Sequence, residues 1–203
     1  MYKKSKPNIF QKIHRQLQIA YDYSRGLDFL KVISVEDLKL NNKVVHKGSP
    51  SGNKYLKIVL QGIQINKDKS ILDIGCAKGS ALKVMLSFPF KKIDGIELSP
   101  DLVKIAKRNF QKLKTNKVEI FNQNATDFMG YNNYNYFYLY NPFPKKIFEK
   151  VIKRINEQIK NKEILIIYNN PVCHDLLIDS NFLLVEKFPD AWGNGINLYK
   201  KSF

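Results

Sequence analysis

Arginine is scarce in this 203-residue chain: only four of its 34 basic residues are arginine (Arg15, Arg25, Arg108 and Arg154), although the formal net charge is +16. Guanidinium groups supply the bidentate phosphate contacts of nucleic-acid surfaces, so charge alone argues only weakly for a nucleic-acid partner. The abundance of Lys, Asn, Ile and Tyr fits a compositional bias that raises charge without any partner. The excess is uneven, with 14 basic and 5 acidic side chains in residues 1–69 against 20 and 13 in residues 70–203. Cysteine is nearly absent. Cys76 and Cys173 form neither a disulfide framework nor a metal-ligand spacing, so a reducing, cytoplasmic setting and no bound metal are expected. No run approaches the roughly 18 apolar residues of a membrane span. The basic start Met1–Pro7 lacks an apolar stretch behind it, so neither a membrane partner nor a secretory signal is expected. The three histidines, His14, His46 and His174, sit in no recognisable motif and read as surface or packing residues.

What is present is a globular composition, 44% hydrophobic and 12% aromatic, enough for one α/β domain and a modest extension. Residues 9–21 carry Ile9, Ile13, Leu17 and Ala20 at helical spacing, with Lys12 and Arg15 between them. Residues 27–40 read as irregular or short-helical, 41–53 as a polar loop and 55–65 as a helix. From Ser70 onward strand and helix patterns alternate. Strands are predicted at 70–74, 92–97, 118–121, 134–140 and 164–168, with helices at 80–88, 100–113, 144–160 and 172–179. Two closing β-segments, 182–188 and 196–200, flank a turn at Gly193 and Gly195. The expected fold is α/β: a Rossmann-like, mostly parallel sheet of seven strands with an antiparallel C-terminal edge, flanked by helices. Residues 1–52 form a helical or irregular extension, a possible cap, and residues 53–203 the ligand-binding domain.

Four strand ends carry the chemistry. The first leads into Asp73-Ile74-Gly75-Cys76-Ala77-Lys78-Gly79, where glycines let backbone amides approach a ligand. Asp73 is a poor neighbour for a pyrophosphate and a good one for an ammonium or sulfonium. The G-x-G-x-x-G spacing of dinucleotide sites is also missing. The second strand ends at Glu97, whose carboxylate can accept hydrogen bonds from two vicinal ribose hydroxyls. Leu98 follows, placed to touch an adenine ring. The third leads into Asn122–Asp127, whose polar side chains and amides can read an adenine edge. The fourth closes on Tyr140-Asn141-Pro142-Phe143-Pro144, with Asn141 placed to orient a nucleophile or the ligand. Cys76 reads as a small residue of the turn, and the aromatic run Tyr131–Tyr138 as packing, with Tyr131 and Tyr134 its most exposed members.

Ile71–Gly79 and Ile93–Pro100 resemble the first two motifs of the class I methyltransferases that use S-adenosyl-L-methionine. The likeness continues through Asn124-Ala125, Tyr140–Phe143 and Ile167–Pro171. Upstream, Tyr21-Asp22 to Leu27-Asp28, Glu36–Leu38 and Ser49-Pro50 resemble the leader of a bacterial branch of that superfamily. The resemblance implies that Asp73, Gly75 and Gly79 line the methionine end of the cofactor, together with Cys76 in the same turn. It implies further that Glu97 holds the ribose, that Leu98, Asn124 and Ala125 flank the adenine, and that Asn141 stands at the methyl-transfer centre. Ala77 replaces a second glycine of the usual turn, and Asn124 stands where aspartate is commoner. Only one proline precedes Phe143, where members that methylate amino groups of adenine or glutamine have two.

The leading expectation is therefore a cytoplasmic methyltransferase acting on an unidentified small-molecule or macromolecular acceptor. The alternatives are a methyltransferase-like nucleic-acid binder or modifier using the basic first third, and, disfavoured by Asp73, a dinucleotide-dependent oxidoreductase.

Overall fold

The computed structural model describes residues 9–34, 50–191 and 193–203. Glu36–Leu38, His46 and Ser49 lie outside them. The elements are α1 (Ile9–Ser24), α2 (Lys54–Gly62), β1 (Ser70–Ile74), α3 (Ser80–Met85), β2 (Lys92–Glu97), α4 (Pro100–Lys112), β3 (Val118–Asn122), β4 (Tyr136–Tyr140), α5 (Lys145–Gln158), β5 (Glu163–Asn169), α6 (His174–Asp179), β6 (Leu183–Phe188) and β7 (Ile196–Ser202). The seven strands form one sheet in the order β3-β2-β1-β4-β5-β7-β6. The first five are parallel, and β7 runs antiparallel between β5 and β6. The expected antiparallel end is therefore two strands wide, with β6 outermost.

Parallel strands covered on both faces need apolar residues on both. All five residues of β1 are buried, and four of the five in β4. One face packs on α5 and α6 through Leu72, Ile74, Phe137, Leu139, Phe148, Ile152 and Tyr168. The other packs on α2, α3 and α4 through Leu56, Leu60, Ile71, Leu82, Met85, Ala106 and Tyr138. Local signals start the helices. Asn53 caps α2 by accepting from the Tyr55 and Leu56 amides, and Ser99 caps α4, with Pro100 at its first position.

Two aromatic residues depart from the sequence reading. Tyr131 and Tyr134 are buried, not exposed. A 3-10 turn over Tyr131–Asn133 delays β4 to residue 136 and folds both rings inward. Their hydroxyls are satisfied there, Tyr131 donating to the Ala125 carbonyl at 2.7 Å and Tyr134 to Asp94 at 2.6 Å. Burial pushes both phenols well above their ordinary pKa.

The leader is tied to the domain behind the first strand's turn. Leu27 and Phe29 are buried against the α3–α4 side. Asp22 pairs with Lys83 at 2.9 Å and Asp28 with Lys78 at 2.6 Å. Asn109 on α4 donates to the carbonyls of both Asp28 and Lys78 and accepts the Asp28 amide. The chain returns at Ser51 and Gly52, whose amides donate to Ser80 Oγ at 3.0 and 3.2 Å. A Cβ on Gly52 would lie 1.9 Å from the Ser80 carbonyl oxygen, so glycine is needed for this approach.

Candidate functional site

The carboxyl ends of β1, β2, β3 and β4 meet along one edge, the place where ligands bind in sheets of this kind. From β1 the chain turns sharply through Gly75 (φ +83°), Ala77 (φ +48°) and Gly79 (φ +85°). The turn is closed by the Gly79 amide on the Cys76 carbonyl at 2.8 Å, and it is fastened to β2 by the Gly75 and Cys76 amides on the Ile96 carbonyl. A Cβ on Gly75 would stand 2.7 Å from Cβ of Pro142. The turn therefore abuts the loop that carries Asn141, itself at φ +39°. The first and fourth motifs, 66 residues apart in sequence, share one wall.

Glu97 is the hub of the second wall. One carboxylate oxygen accepts the Ala77 amide and the other the Ser99 amide, each at 2.9 Å. Burial raises its pKa, against the lowering effect of the amides that donate to it. Its main-chain carbonyl accepts from the Gln123 amide at 3.2 Å and the Asn122 side chain at 3.1 Å. Asn122 also donates to the Leu98 carbonyl at 3.0 Å, which brings Leu98 beside the Asn124 and Ala125 segment. Asn124 turns back on itself, its side chain accepting the Thr126 amide at 3.1 Å.

Asp73 is the most unusual group on this edge. It is 3% exposed, and among the described residues none hydrogen-bonds its carboxylate. Burial first, and the nearby Glu97 carboxylate second, hold its pKa well above the ordinary carboxylate value. A buried anion with an anionic neighbour is costly unless a cation arrives. That donor set fits a ligand carrying ammonium and sulfonium charge beside ribose hydroxyls.

The sequence-selected residues fall into two groups. Asp73, Gly75, Gly79, Glu97, Leu98, Asn124, Ala125 and Asn141 all belong to the strand ends of this edge or the loops leading from them. Cys76 shares the turn, but its side chain points into the sheet: a Cβ on Gly95 would stand 2.5 Å from its Sγ. Burial, then Asp73 and Glu97, push the thiol well above its ordinary pKa. It contributes packing and a backbone amide to the turn, and no nucleophile. His174 binds Tyr199 at 2.8 Å and His14 binds Gln18 at 3.0 Å, both as local packing or surface contacts.

The sequence reading missed two features. Lys78, in the middle of the turn, is 3% exposed and clamps Asp28 of the leader. A turn lysine carries no signal of burial. The second is a polar cluster under the edge. Tyr138, in register with Asp73, bonds Ser51 and accepts from the Asn169 side chain at 3.0 Å. Only the pairing of β1, β4 and β5 with the leader brings these residues together.

The fold recurs in solved methyltransferases of low sequence identity. A methyltransferase from Aquifex aeolicus described as dependent on S-adenosylmethionine superposes with TM-score 0.57 at 15% identity, covering 71% of this chain and 87% of that one. An RNA methyltransferase from Salinibacter ruber, in complex with S-adenosyl-L-homocysteine, gives 0.55 at 15% identity, with 75% and 92% covered. A ribosomal protein L11 methylase from Lactobacillus delbrueckii subsp. bulgaricus gives 0.55 at 11% identity, with 78% and 81% covered. Among curated proteins none matches the chain. The family model described as a methyltransferase domain matches residues 65–190, more than half of the chain and every strand end described above. With the glycine turn, the Glu97 hub and the uncompensated Asp73 on that matched stretch, the chain belongs to the methyltransferase-domain family, whose methyl donor is S-adenosyl-L-methionine.

Proposed function

We propose that the chain moves the methyl group of S-adenosyl-L-methionine to an acceptor held beside Asn141, and that Asp73 and Glu97 are the groups that grip the donor. The observation that carries this reading is the buried Asp73 carboxylate, which has a carboxylate neighbour and no hydrogen-bond partner among the described residues. A cationic amino-acid end beside it removes the electrostatic cost. Glu97, already oriented by two amides, has lone pairs left for the ribose hydroxyls. Leu98, Asn124 and Ala125 complete an adenine-sized wall, and the Gly75 and Gly79 turn lets the donor lie close to the backbone.

The donor supplies an activated methyl on a sulfonium, a leaving group that departs neutral. This chain's own task is mainly placement: holding the acceptor atom in line at about 3 Å from the methyl carbon, a proximity effect. With the donor bound, the acceptor's new bond to carbon would replace the carbon–sulfur bond, whose electron pair would stay with sulfur. A proton, where the acceptor carries one, leaves to solvent. Asn141, held at positive φ at the end of β4 against the glycine turn, orients the acceptor through its amide. Residues 1–52 act as a cap tied down on both sides of the turn, through Asp28–Lys78 and Ser51–Ser80.

Titration calorimetry with S-adenosylhomocysteine tests the donor site. Micromolar binding that Asp73→Asn weakens supports the reading; a thermal shift with NADH and none with S-adenosylhomocysteine overturns it. A nucleic-acid acceptor draws support from the basic first third and the RNA methyltransferase among the structural neighbours. Steeply salt-dependent RNA binding would select that acceptor class.

A further inference from the structure

Helix α1 turns its apolar side away from the protein. At 3.6 residues per turn, Ile9, Phe10, Ile13, Leu17, Ala20 and Tyr21 share a wedge of about 120° on one side of the helix. These side chains are exposed, Phe10 at 77% and Leu17 at 64%. The contacts that fix the helix come from the opposite side, where Asp22 is buried on Lys83 and Ile19 is half-buried. An amphipathic helix that only completed a core would face the other way. This stripe is built to be covered from outside.

Charge selects what covers it. The first 21 residues contain Lys3, Lys4, Lys6, Lys12 and Arg15 and not one carboxylate side chain. Within α1 the single acidic residue is Asp22, whose charge is consumed by Lys83. The helix thus carries an apolar wedge, with Lys12 about 60° beyond one edge of it and Arg15 on the far side, on a chain of net charge +16. A second copy would set two such surfaces face to face with no counter-charge. A nucleic acid would satisfy the cations and leave the Ile–Phe–Leu stripe in water. An anionic lipid surface satisfies both, taking the apolar wedge below its headgroups while attracting the basic side chains of the helix's polar side.

We propose that α1 docks the protein on an anionic bilayer surface, lying in the interface plane with Ile9, Phe10, Ile13, Leu17 and Tyr21 inserted. The lack of a spanning run in the sequence does not bear on this, because an interfacial helix needs none; among the described residues no helix is long and apolar enough to cross a membrane. The inference is independent of the donor site.

Flotation of the full chain with vesicles tests it. With phosphatidylcholine containing about one-third phosphatidylglycerol, the chain floats at low salt, and the bound fraction falls about tenfold on pure phosphatidylcholine. Ile13→Glu with Leu17→Glu, both at exposed positions, lowers binding to the anionic vesicles about tenfold while the far-ultraviolet circular dichroism of the fold stays unchanged. Lys12→Gln with Arg15→Gln lowers it at low salt and weakens the salt dependence. Failure of the chain to float with anionic vesicles overturns the proposal, as does equal flotation of the Ile13/Leu17 variant. A concentration-dependent dimer that the same variant abolishes, without vesicle binding, overturns it in favour of a second copy. RNA binding without vesicle binding overturns it in favour of nucleic acid.

Discussion

The Glu97 carboxylate accepts the amide of Ala77 at 2.9 Å, and this contact holds an alanine at φ +48° in the turn that follows β1. One side chain therefore fastens the glycine turn to the end of β2, and by the proposed function it also holds the ribose. Glu97→Ala is expected to weaken S-adenosylhomocysteine binding by roughly 30–150-fold, the loss of two hydrogen bonds at about 1–1.5 kcal/mol each. Calorimetry checks this, and an unchanged affinity removes the ribose assignment. Stability should fall as well, by about 1–3 kcal/mol, because the Ala77 and Ser99 amides lose their acceptor.

Ala77→Gly should have the opposite effect on the fold. A non-glycine residue in the left-handed region costs about 1 kcal/mol, partly offset by the greater unfolded-state freedom of glycine. A rise of a few degrees in Tm is expected, with donor affinity kept within about threefold. A fall in Tm would show that the Ala77 methyl makes contacts that outweigh its backbone strain.

Donor binding should be linked to proton release. Burial and Glu97 raise the Asp73 pKa in the ligand-free fold, so the folded chain holds a proton that the unfolded chain gives up. Ligand-free stability from this group therefore falls as pH rises from about 4 toward the raised value. A cationic ligand favours the ionised carboxylate, expels the proton and binds more tightly as pH rises over that same window. Calorimetry in buffers of different ionisation enthalpy measures the proton count. Asp73→Asn should reduce that count and flatten the pH dependence, and an unaltered proton count would place the titration elsewhere.

The clamp between leader and turn is expected to behave as a partly buried ion pair. Asp28→Ala leaves the Lys78 ammonium buried without its partner and should cost about 3 kcal/mol in denaturant unfolding. The double variant Asp28→Ala with Lys78→Met should recover a good part of that loss. If the two single losses simply add, the residues do not act as a pair.

Truncation at Ser49 tests the cap. Loss of the Asp22–Lys83 and Asp28–Lys78 pairs together with buried Leu27 and Phe29 should lower donor affinity through a loosened turn. Intact affinity and intact turnover on an identified acceptor would leave residues 1–52 without a role at the site.

The sequence by itself determined the alternation of strand and helix and the edge along which the candidate site residues fall. Asp73, the glycine turn, Glu97 and Asn141 could be singled out, and their placement on one edge foreseen, because each stands at a strand end, where local pattern and turn chemistry speak directly. Tyr131 and Tyr134 were misread because alternation along a strand cannot reveal a 3-10 turn that folds their rings inward onto Ala125 and Asp94. Tertiary structure alone decided that β7 inserts beside β5, that Lys78 is buried on Asp28, and that α1 shows its apolar side to the outside. These depend on which surfaces meet across more than 20 residues of chain. Periodicity defines an apolar face, but only packing decides whether the body of the protein or something beyond it covers that face.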